Sequence, residues 1–319
     1  MGIEMKIVLL ESLGITEEKL AVFADKLKEA GHEFAAYEKN TDPDVCIERA
    51  KDADVIMIAN MPLPGKVIRN CPKLKFIDVA FTGVDHVDLE AAKECNVAVS
   101  NASGYSNESV AELVICMMLS LLRNVKQVEE RCRSGKTKDG LVGRQLQERT
   151  VGIVGLGSIG KRVAVLCKAF GCRVLAYSRT VKEENRELAE YVSLDELLRQ
   201  SDIVTLHCPL TAETRNLINK EKIALMKEGA ILINAARGPV VDSDALAEAL
   251  QSGRLAGAGI DVFEMEPPIP ADHVLLAAPN TILTPHIAFA SEESMLLRAE
   301  IVFDSLEKWM EGNQVNVIL

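Results

Sequence analysis

The stretch TVGIVGLGSIG at residues 150–160 decides the fold of the larger part of the chain. It begins with a short apolar run typical of a buried strand and continues into three glycines, Gly155, Gly157 and Gly160, spaced G-x-G-x-x-G. A helical pattern follows over residues 161–170. This order of strand, glycine loop and helix is the context in which the motif binds a dinucleotide pyrophosphate. A plain strand-to-helix turn without a ligand is the competing interpretation.

Each glycine of the motif has its own physical role. Gly155 permits the tight turn, Gly157 lets the backbone approach a pyrophosphate, and Gly160 lets the helix pack closely on the strand. The N-terminus of the helix attracts phosphate charge. The loop residues expected to contact a dinucleotide are Gly155, Gly157, Ser158, Ile159 and Gly160.

Short β-rich runs alternate with longer helical patterns on both sides of this motif. Near-continuous apolar strands separated by helices are typical of parallel sheets that are covered on both faces. The predicted strands cover residues 6–10, 54–59, 74–80 and 97–99 before the motif, and residues 151–154, 173–177, 202–206, 230–234, 258–262 and 281–283 from the motif onward. We therefore predict an α/β fold with two Rossmann-like, doubly wound parallel-sheet domains.

Two long helices accompany these sheets. Residues 107–125 form an apolar helix between the two series of strands, and residues 292–310 form a final helix that we expect to pack back on the first sheet. We predict that residues 1–100 form the first part of a substrate domain and residues 101–288 a dinucleotide-binding domain. Residues 289–319 would be a return helix that completes the substrate domain, which is then discontinuous.

Composition limits the possible partners. The chain has 319 residues, 48% of them hydrophobic and 26% charged, which suits a folded protein of two domains. The net charge of −11 argues against nucleic acid and against an anionic membrane surface. Residues 1–10 lack a secretory signal, and the most apolar helical stretch, residues 110–122, is too short to span a bilayer. We expect a cytoplasmic protein.

The eight cysteines include no C-x-x-C pair. We interpret all of them as reduced, mostly buried thiols, and we expect no metal site.

The end of the second strand of the cofactor domain bears on which dinucleotide binds. Such strands normally end in an acid that bonds the ribose 2′-hydroxyl. Here the strand ends in Ser178, Arg179 and Thr180, which can bond or pair with a 2′-phosphate. The sequence thus favours NADPH, with NADH possible. In the alternative, Arg179 is a solvated surface residue and NADH binds.

With these segments the chain resembles the D-isomer-specific 2-hydroxyacid dehydrogenase family over nearly its whole length. The matching motifs are residues 81–88, 109–112, 154–160, 207–211, 234–238, 261–267 and 284–286. Residues 101–106 are similar to the domain crossing of glycerate dehydrogenases and hydroxypyruvate reductases. The resemblance implies reduction of a small 2-keto acid, of the hydroxypyruvate or glyoxylate kind, to the D-2-hydroxy acid. It also implies a homodimer, with the active site in the cleft between the two domains.

The resemblance assigns roles to four residues. Arg237 would hold the substrate carboxylate and polarise the keto oxygen, and His286 would protonate that oxygen. Glu266 would pair with His286 and favour its protonated form, and Asp261 would bond the nicotinamide carboxamide. Chemistry supports these roles, because ketone reduction needs a proton donor that titrates near neutrality and Arg presents a planar fork to a carboxylate.

Other residues complete the expected site. His207, Pro209, Ala235 and Ala236 are expected to line the cofactor. The resemblance implies that the substrate meets Phe81, Thr82 and Gly83 together with Arg237 and His286. A structural turn without ligand contact is the alternative for residues 80–85.

Several alternatives stay open. Glu264 competes with Glu266 as the partner of His286, and we favour Glu266 because it immediately precedes Pro267. His86 lies in the substrate loop, and we interpret His32 and His273 as surface residues. Phosphite oxidation on the same fold and a dinucleotide-sensing corepressor are the competing functions, since both keep the Arg, Glu and His.

Overall fold

The computed structural model describes residues 4–319, and these divide into two units. One unit comprises the described residues up to Ser106 together with Ala290–Leu319, and the other is Asn107–Phe289. The domain boundaries predicted from the sequence lay near residues 100 and 288. Residues 1–3 of the segment considered for a secretory signal lie outside the described residues.

The first unit contains a five-stranded sheet in the order β2-β1-β3-β4-β5. Every neighbouring pair in it is parallel. Its strands are β1 (Lys6–Leu9), β2 (Glu33–Ala36), β3 (Val55–Ile58), β4 (Phe76–Val79) and β5 (Ala98–Asn101). The short strand β2 was not predicted, because it lies at the sheet edge and none of its four residues is fully buried, so it lacks an apolar run.

Helices cover this sheet. They are α1 (Glu17–Glu29), α2 (Pro43–Ala50), α3 (Gly65–Arg69), α4 (Leu89–Glu94) and the last helix, α11 (Glu292–Met310). The ring of Trp309 in α11 stacks on Phe76 of β4 at 4.6 Å between centroids, and Phe303 stacks on Phe23 at 4.5 Å. The last helix therefore packs on the first sheet by aromatic contacts.

The second unit contains a seven-stranded parallel sheet in the order β12-β11-β10-β9-β6-β7-β8. Its strands are β6 (Thr150–Val154), β7 (Arg173–Tyr177), β8 (Glu190–Tyr191), β9 (Ile203–Leu206), β10 (Ala230–Asn234), β11 (Leu255–Ile260) and β12 (Thr281–Leu283). The chain runs outward from β6 in one direction and from β9 in the other. The strand order thus reverses between β6 and β9, where open α/β sheets bind their ligands.

The helices of this unit are α5 (Asn107–Leu122), α6 (Val125–Arg133), α7 (Ser158–Ala169), α8 (Leu194–Gln200), α9 (Lys220–Leu225) and α10 (Ser243–Gln251). The single helix predicted over residues 107–125 is wrong at its end. Asn124 has a φ of +52°, a left-handed conformation that ends α5 and starts α6.

The expectation that most cysteines are buried is also wrong. Cys46, Cys71 and Cys167 are buried, whereas Cys95, Cys116 and Cys132 are exposed at helix surfaces or ends. All eight are free thiols. Over residues 4–319, no helix is long and apolar enough to cross a membrane, and no cluster of three or more metal-binding side chains occurs.

Candidate active site

The glycine motif forms a tight loop between β6 and α7. Gly155 has a φ of +100°, and a Cβ there would lie 2.7 Å from the backbone of His207. A Cβ at Gly160 would lie 2.1 Å from the carbonyl oxygen of Gly155. Both positions therefore require glycine, because a side chain at either one would collide with backbone.

The first turn of α7 is suited to an anion. Its N-cap residue, Gly157, gives no side-chain cap, and the first turn contains no acid. A Cβ on Gly157 would meet nothing within 4 Å. The backbone amides that begin a helix, including those of Ser158 and Ile159, lack partners within it and favour negative charge. These features fit a dinucleotide pyrophosphate.

His207 follows β9 on the other side of the strand reversal. Its Nε2 lies 2.9 Å from Thr205 Oγ1, and desolvation lowers the pKa of His207 well below its ordinary value. The imidazole is thus neutral near pH 7 and cannot serve as a proton donor there. The backbone of His207 and Cys208 lies beside the glycine loop, since Gly155 approaches it closely, and Pro209 is the next residue along the chain.

At the end of β7, the structure has a cation and hydroxyls instead of an acid. Ser178 is half-buried, and Arg179 and Thr180 are exposed. A carboxylate lies nearby, however. A hydrogen bond from Thr211 lowers the pKa of Glu213, and the positive charge of Arg179 contributes to the same shift.

Arg237 is placed by a turn that a buried asparagine holds. Asn234, the last residue of β10, donates from Nδ2 to the carbonyl of Arg237 at 3.0 Å. Its Oδ1 accepts from the amide of Ala236 at 3.1 Å. Ala235 and Ala236 are half-buried within this turn. Asn234 begins one of the matching motifs, but its role in holding the Arg237 turn was not inferred from the sequence.

Asp261 organises the loop that carries His286. It is fully buried, and its carboxylate accepts from Thr284 Oγ1 at 2.6 Å and from the amides of Ile287 and Ala288 at 2.8 and 2.9 Å. Its carbonyl oxygen accepts from the amide of His286 at 2.7 Å. The carboxylate predicted to meet the nicotinamide therefore also fixes the histidine loop.

His286 and Glu266 lie within hydrogen-bonding distance of each other. His286 Nδ1 lies 2.8 Å from Glu266 Oε2, and the exposed fractions of the two side chains are 10% and 50%. The backbone of His286 has a φ of +55°, an uncommon conformation for a residue with a side chain. The structure thus joins the two residues that the resemblance assigned to proton transfer.

Glu264, the competing carboxylate, bonds elsewhere. It accepts from Ser243 Oγ at 2.5 Å and lies 3.0 Å from Nε2 of His273. His273 was predicted to be a surface residue, and this is wrong, because its side chain is only 8% exposed. His32 is likewise half-buried and accepts from the amide of Met5 at 3.3 Å. Each imidazole accepts a hydrogen bond from a backbone amide, and no sequence pattern indicates such a bond.

The segment predicted to bind substrate follows β4 in the first unit. The amide of Phe81 donates to the carbonyl of Val79 at 2.7 Å, and Asn101 Nδ2 donates to the carbonyl of Thr82 at 2.6 Å. Within residues 4–319, the amides of Thr82 and Gly83 donate to no protein group. Two adjacent amides are therefore available to an anion.

Comparison with known proteins identifies the family. Residues 115–288 match the model of the D-isomer specific 2-hydroxyacid dehydrogenase, NAD binding domain. A hydroxypyruvate reductase of Blautia hydrogenotrophica is 38% identical over 303 residues, which cover 91% of this chain and 93% of that protein. A glyoxylate reductase of Korarchaeum cryptofilum is 40% identical over 276 residues, which cover 84% and 83%.

A solved structure extends the likeness to the whole fold. The TT0316 protein from Thermus thermophilus superposes with a TM-score of 0.89 at 36% identity, covering 99% of this chain and 100% of that one. The chain therefore belongs to the D-isomer specific 2-hydroxyacid dehydrogenase family and is an oxidoreductase with an NAD-binding domain.

Proposed function

We propose that the protein reduces a small 2-keto acid, of the hydroxypyruvate or glyoxylate class, to the D-2-hydroxy acid. The observation that carries this proposal is the 2.8 Å pair between His286 and Glu266 at the carboxyl ends of β11 and β12. Relatives named hydroxypyruvate reductase and glyoxylate reductase support the choice of substrate class.

The chain's own residues would bind the substrate carboxylate and donate a proton to the keto oxygen. When bound, the reduced nicotinamide supplies a hydride to the keto carbon. Arg237 binds the substrate carboxylate through its planar guanidinium and polarises the keto oxygen. His286, whose Nδ1 faces the Glu266 carboxylate, would give a proton from Nε2 to that oxygen. Asp261 is proposed to bond the carboxamide of the cofactor.

The first unit is proposed to be the substrate domain. Its two available amides, at Thr82 and Gly83, would add hydrogen bonds to the substrate carboxylate, and the neighbouring Phe81 would complete this side of the substrate site. A homodimer in the cytoplasm is part of the same proposal, and light scattering of the purified protein tests the dimer.

A panel of substrates tests the function. Glyoxylate, hydroxypyruvate, pyruvate and branched 2-keto acids should be assayed with NADPH and with NADH, and the chirality of each chiral product determined. Highest kcat/KM for glyoxylate or hydroxypyruvate, with a D product from the latter, is expected. Tight dinucleotide binding without turnover of any of these acids would reject the proposal in favour of a dinucleotide sensor.

The cofactor preference is a separate proposal, in favour of NADPH. Arg179 with Ser178 and Thr180 supplies a cation and hydroxyls where an NAD enzyme supplies a carboxylate. A charge-assisted bond to phosphate contributes about 1.5–3 kcal/mol, which corresponds to a preference of roughly one to two orders of magnitude in kcat/KM. Ser178→Asp combined with Arg179→Ala should reverse the preference. Equal kcat/KM values in the wild type would mean that Glu213 holds Arg179 away from the phosphate.

A further inference from the structure

Two residues before Glu266, the side chain of Glu264 is tethered on both sides. One oxygen accepts from Ser243 Oγ at 2.5 Å, at the start of α10, and the other lies 3.0 Å from His273 Nε2. Residues 264–268 are otherwise exposed to solvent. An exposed segment has little packing to fix it, so side-chain bonds of this kind decide where it lies.

His273 is itself held in one orientation. Its Nδ1 accepts from the amide of Leu275 at 3.3 Å, which caps a short 3₁₀ helix over Val274–Ala277. The ring also packs edge-on against Phe263 at 5.1 Å. Because Nδ1 accepts, the neutral ring carries its proton on Nε2 and donates it to Glu264. The imidazole therefore links a buried helix cap to the exposed segment.

The start of the exposed segment, at Phe263, is fixed because its backbone packs closely against another turn. A Cβ at Gly238 would lie 1.9 Å from the carbonyl group of Phe263, so the turn that carries Arg237 lies directly against this point. The backbone is thus anchored at Phe263, and Glu264 extends the anchoring toward Glu266.

We propose that His273 and Ser243 are positioning residues that act through Glu264 to hold Glu266 against Nδ1 of His286. The inference rests on the proposed function, because the benefit of a fixed Glu266 is faster proton transfer to a keto oxygen. The inference gives a function to His273 and Glu264, neither of which takes part in the reaction itself.

Two substitutions of His273 each remove one of its two hydrogen bonds and keep the other. In His273→Asn, the shorter side chain can still accept from the Leu275 amide and cap the helix, but it does not reach Glu264. In His273→Gln, the longer side chain can still donate to Glu264 but does not cap the helix. We expect His273→Asn to lower kcat about five- to tenfold with little change in KM, and His273→Gln to retain more of kcat. The opposite ranking would show that only the cap matters and would overturn the proposal.

A double-mutant cycle tests whether the effect passes through Glu266. His273→Asn should cost little further kcat in a Glu266→Gln background, whereas multiplied losses would overturn the proposal. Glu311→Gln, on the exposed end of α11, is the matched control and should leave kcat unchanged.

Hydrogen exchange of the amides at residues 264–266 gives a readout without turnover. It should accelerate in His273→Asn and less in His273→Gln, and unchanged exchange in both variants would overturn the tether. If the wild type reduced no 2-keto acid, the proposed function would fail, and the exchange measurement would still decide the tether.

Discussion

At the scale of single residues, His286 is held in a costly backbone conformation. Its φ of +55° is sparsely populated by residues other than glycine, and such strain persists only where surrounding bonds enforce it. Asp261 supplies this enforcement, since its backbone and carboxylate accept from the amides of His286, Ile287 and Ala288. The hydrogen bonds of this loop thus fix the orientation of the His286 imidazole.

Removing that imidazole tests the proton donor. His286→Ala should lower kcat by roughly two or more orders of magnitude, because general acid catalysis contributes about that much. The Kd for NADPH should barely change, as the dinucleotide loop is formed by other residues. Steady-state kinetics with a cofactor titration measures both quantities, and turnover near the wild-type level would exclude His286 as the donor.

The partner carboxylate should matter for turnover. In Glu266→Gln the Nδ1 of His286 loses the carboxylate that lies 2.8 Å away, and a neutral amide supports proton transfer from the ring less well. We expect kcat for keto-acid reduction to fall at least about tenfold, with little change in KM. Steady-state kinetics of both proteins measure this loss, and an unchanged kcat would exclude Glu266 as the partner of His286. Since Glu264 bonds Ser243 and His273, Glu264→Gln is the matched comparison and should lower kcat less.

The sequence predicted some of these partners and not others. Glu266 was preferred to Glu264 because of its place before Pro267, and the 2.8 Å contact with His286 agrees with that choice. The neighbours of His273 and Asn234 could not be predicted. Apart from the Glu264 carboxylate beside His273, their partners are backbone amides and carbonyls in turns, and such bonds leave no periodic trace in a sequence.

At the scale of elements, long buried strands were predictable and short or edge elements were not. The strand predicted over residues 230–234 coincides with β10, because an unbroken apolar run must be buried on both faces. The edge strands β2 and β8 escaped prediction, since their half-exposed residues resemble those of loops. The break between α5 and α6 depends on one left-handed asparagine inside an otherwise helical pattern.

The close packing of the Arg237 turn against the segment that begins at Phe263 leads to a prediction at the scale of elements. Gly238→Ala would place a Cβ 1.9 Å from the carbonyl of Phe263, so the Arg237 turn and the segment leading to Glu266 must separate. Because the obstructing atoms are backbone, we expect a loss near the upper end of the roughly 1–3 kcal/mol that overpacking typically costs in the free energy of unfolding. Denaturant unfolding measures this loss, and kcat should fall with it.

A matched glycine provides the control for this substitution. Gly157→Ala adds a Cβ that meets no protein atom within 4 Å, so unfolding should change little while the Kd for the dinucleotide rises. Equal stability of the two variants would contradict the packing argument.

At the scale of the whole molecule, the core of the first sheet contains a carboxyl group. Asp78, in the middle of β4, is fully buried, and its Oδ2 has no hydrogen-bond partner within residues 4–319. Desolvation raises the pKa of Asp78 well above its ordinary value, and a 3.4 Å bond from Ser305 of α11 only partly opposes this shift. Burial therefore favours the protonated form of this carboxyl in the folded protein.

This buried proton makes stability depend on pH in a definite direction. The folded state binds the proton at pH values where the unfolded chain, with an ordinary Asp, has released it. Stability must then fall as pH rises above about 4, until the folded group also ionises, with a slope of up to about 1.4 kcal/mol per pH unit. Asp78→Asn removes the titrating group and keeps the shape, so its stability relative to the wild type should rise with pH above pH 5 until the buried carboxyl ionises.

Asp54 is a suitable control, because its pKa is shifted in the opposite direction to that of Asp78. Although partial burial opposes ionisation, hydrogen bonds from the Lys75 side chain and the Lys6 amide lower the pKa of Asp54. Its contribution is complete above the unfolded pKa of about 4 and is lost only in acid. The stability difference between Asp54→Asn and the wild type should thus stay flat from pH 5 to pH 8. Thermal unfolding of both variants and the wild type across this range decides the matter, and a flat difference for Asp78→Asn would mean that the buried carboxyl is ionised in the fold.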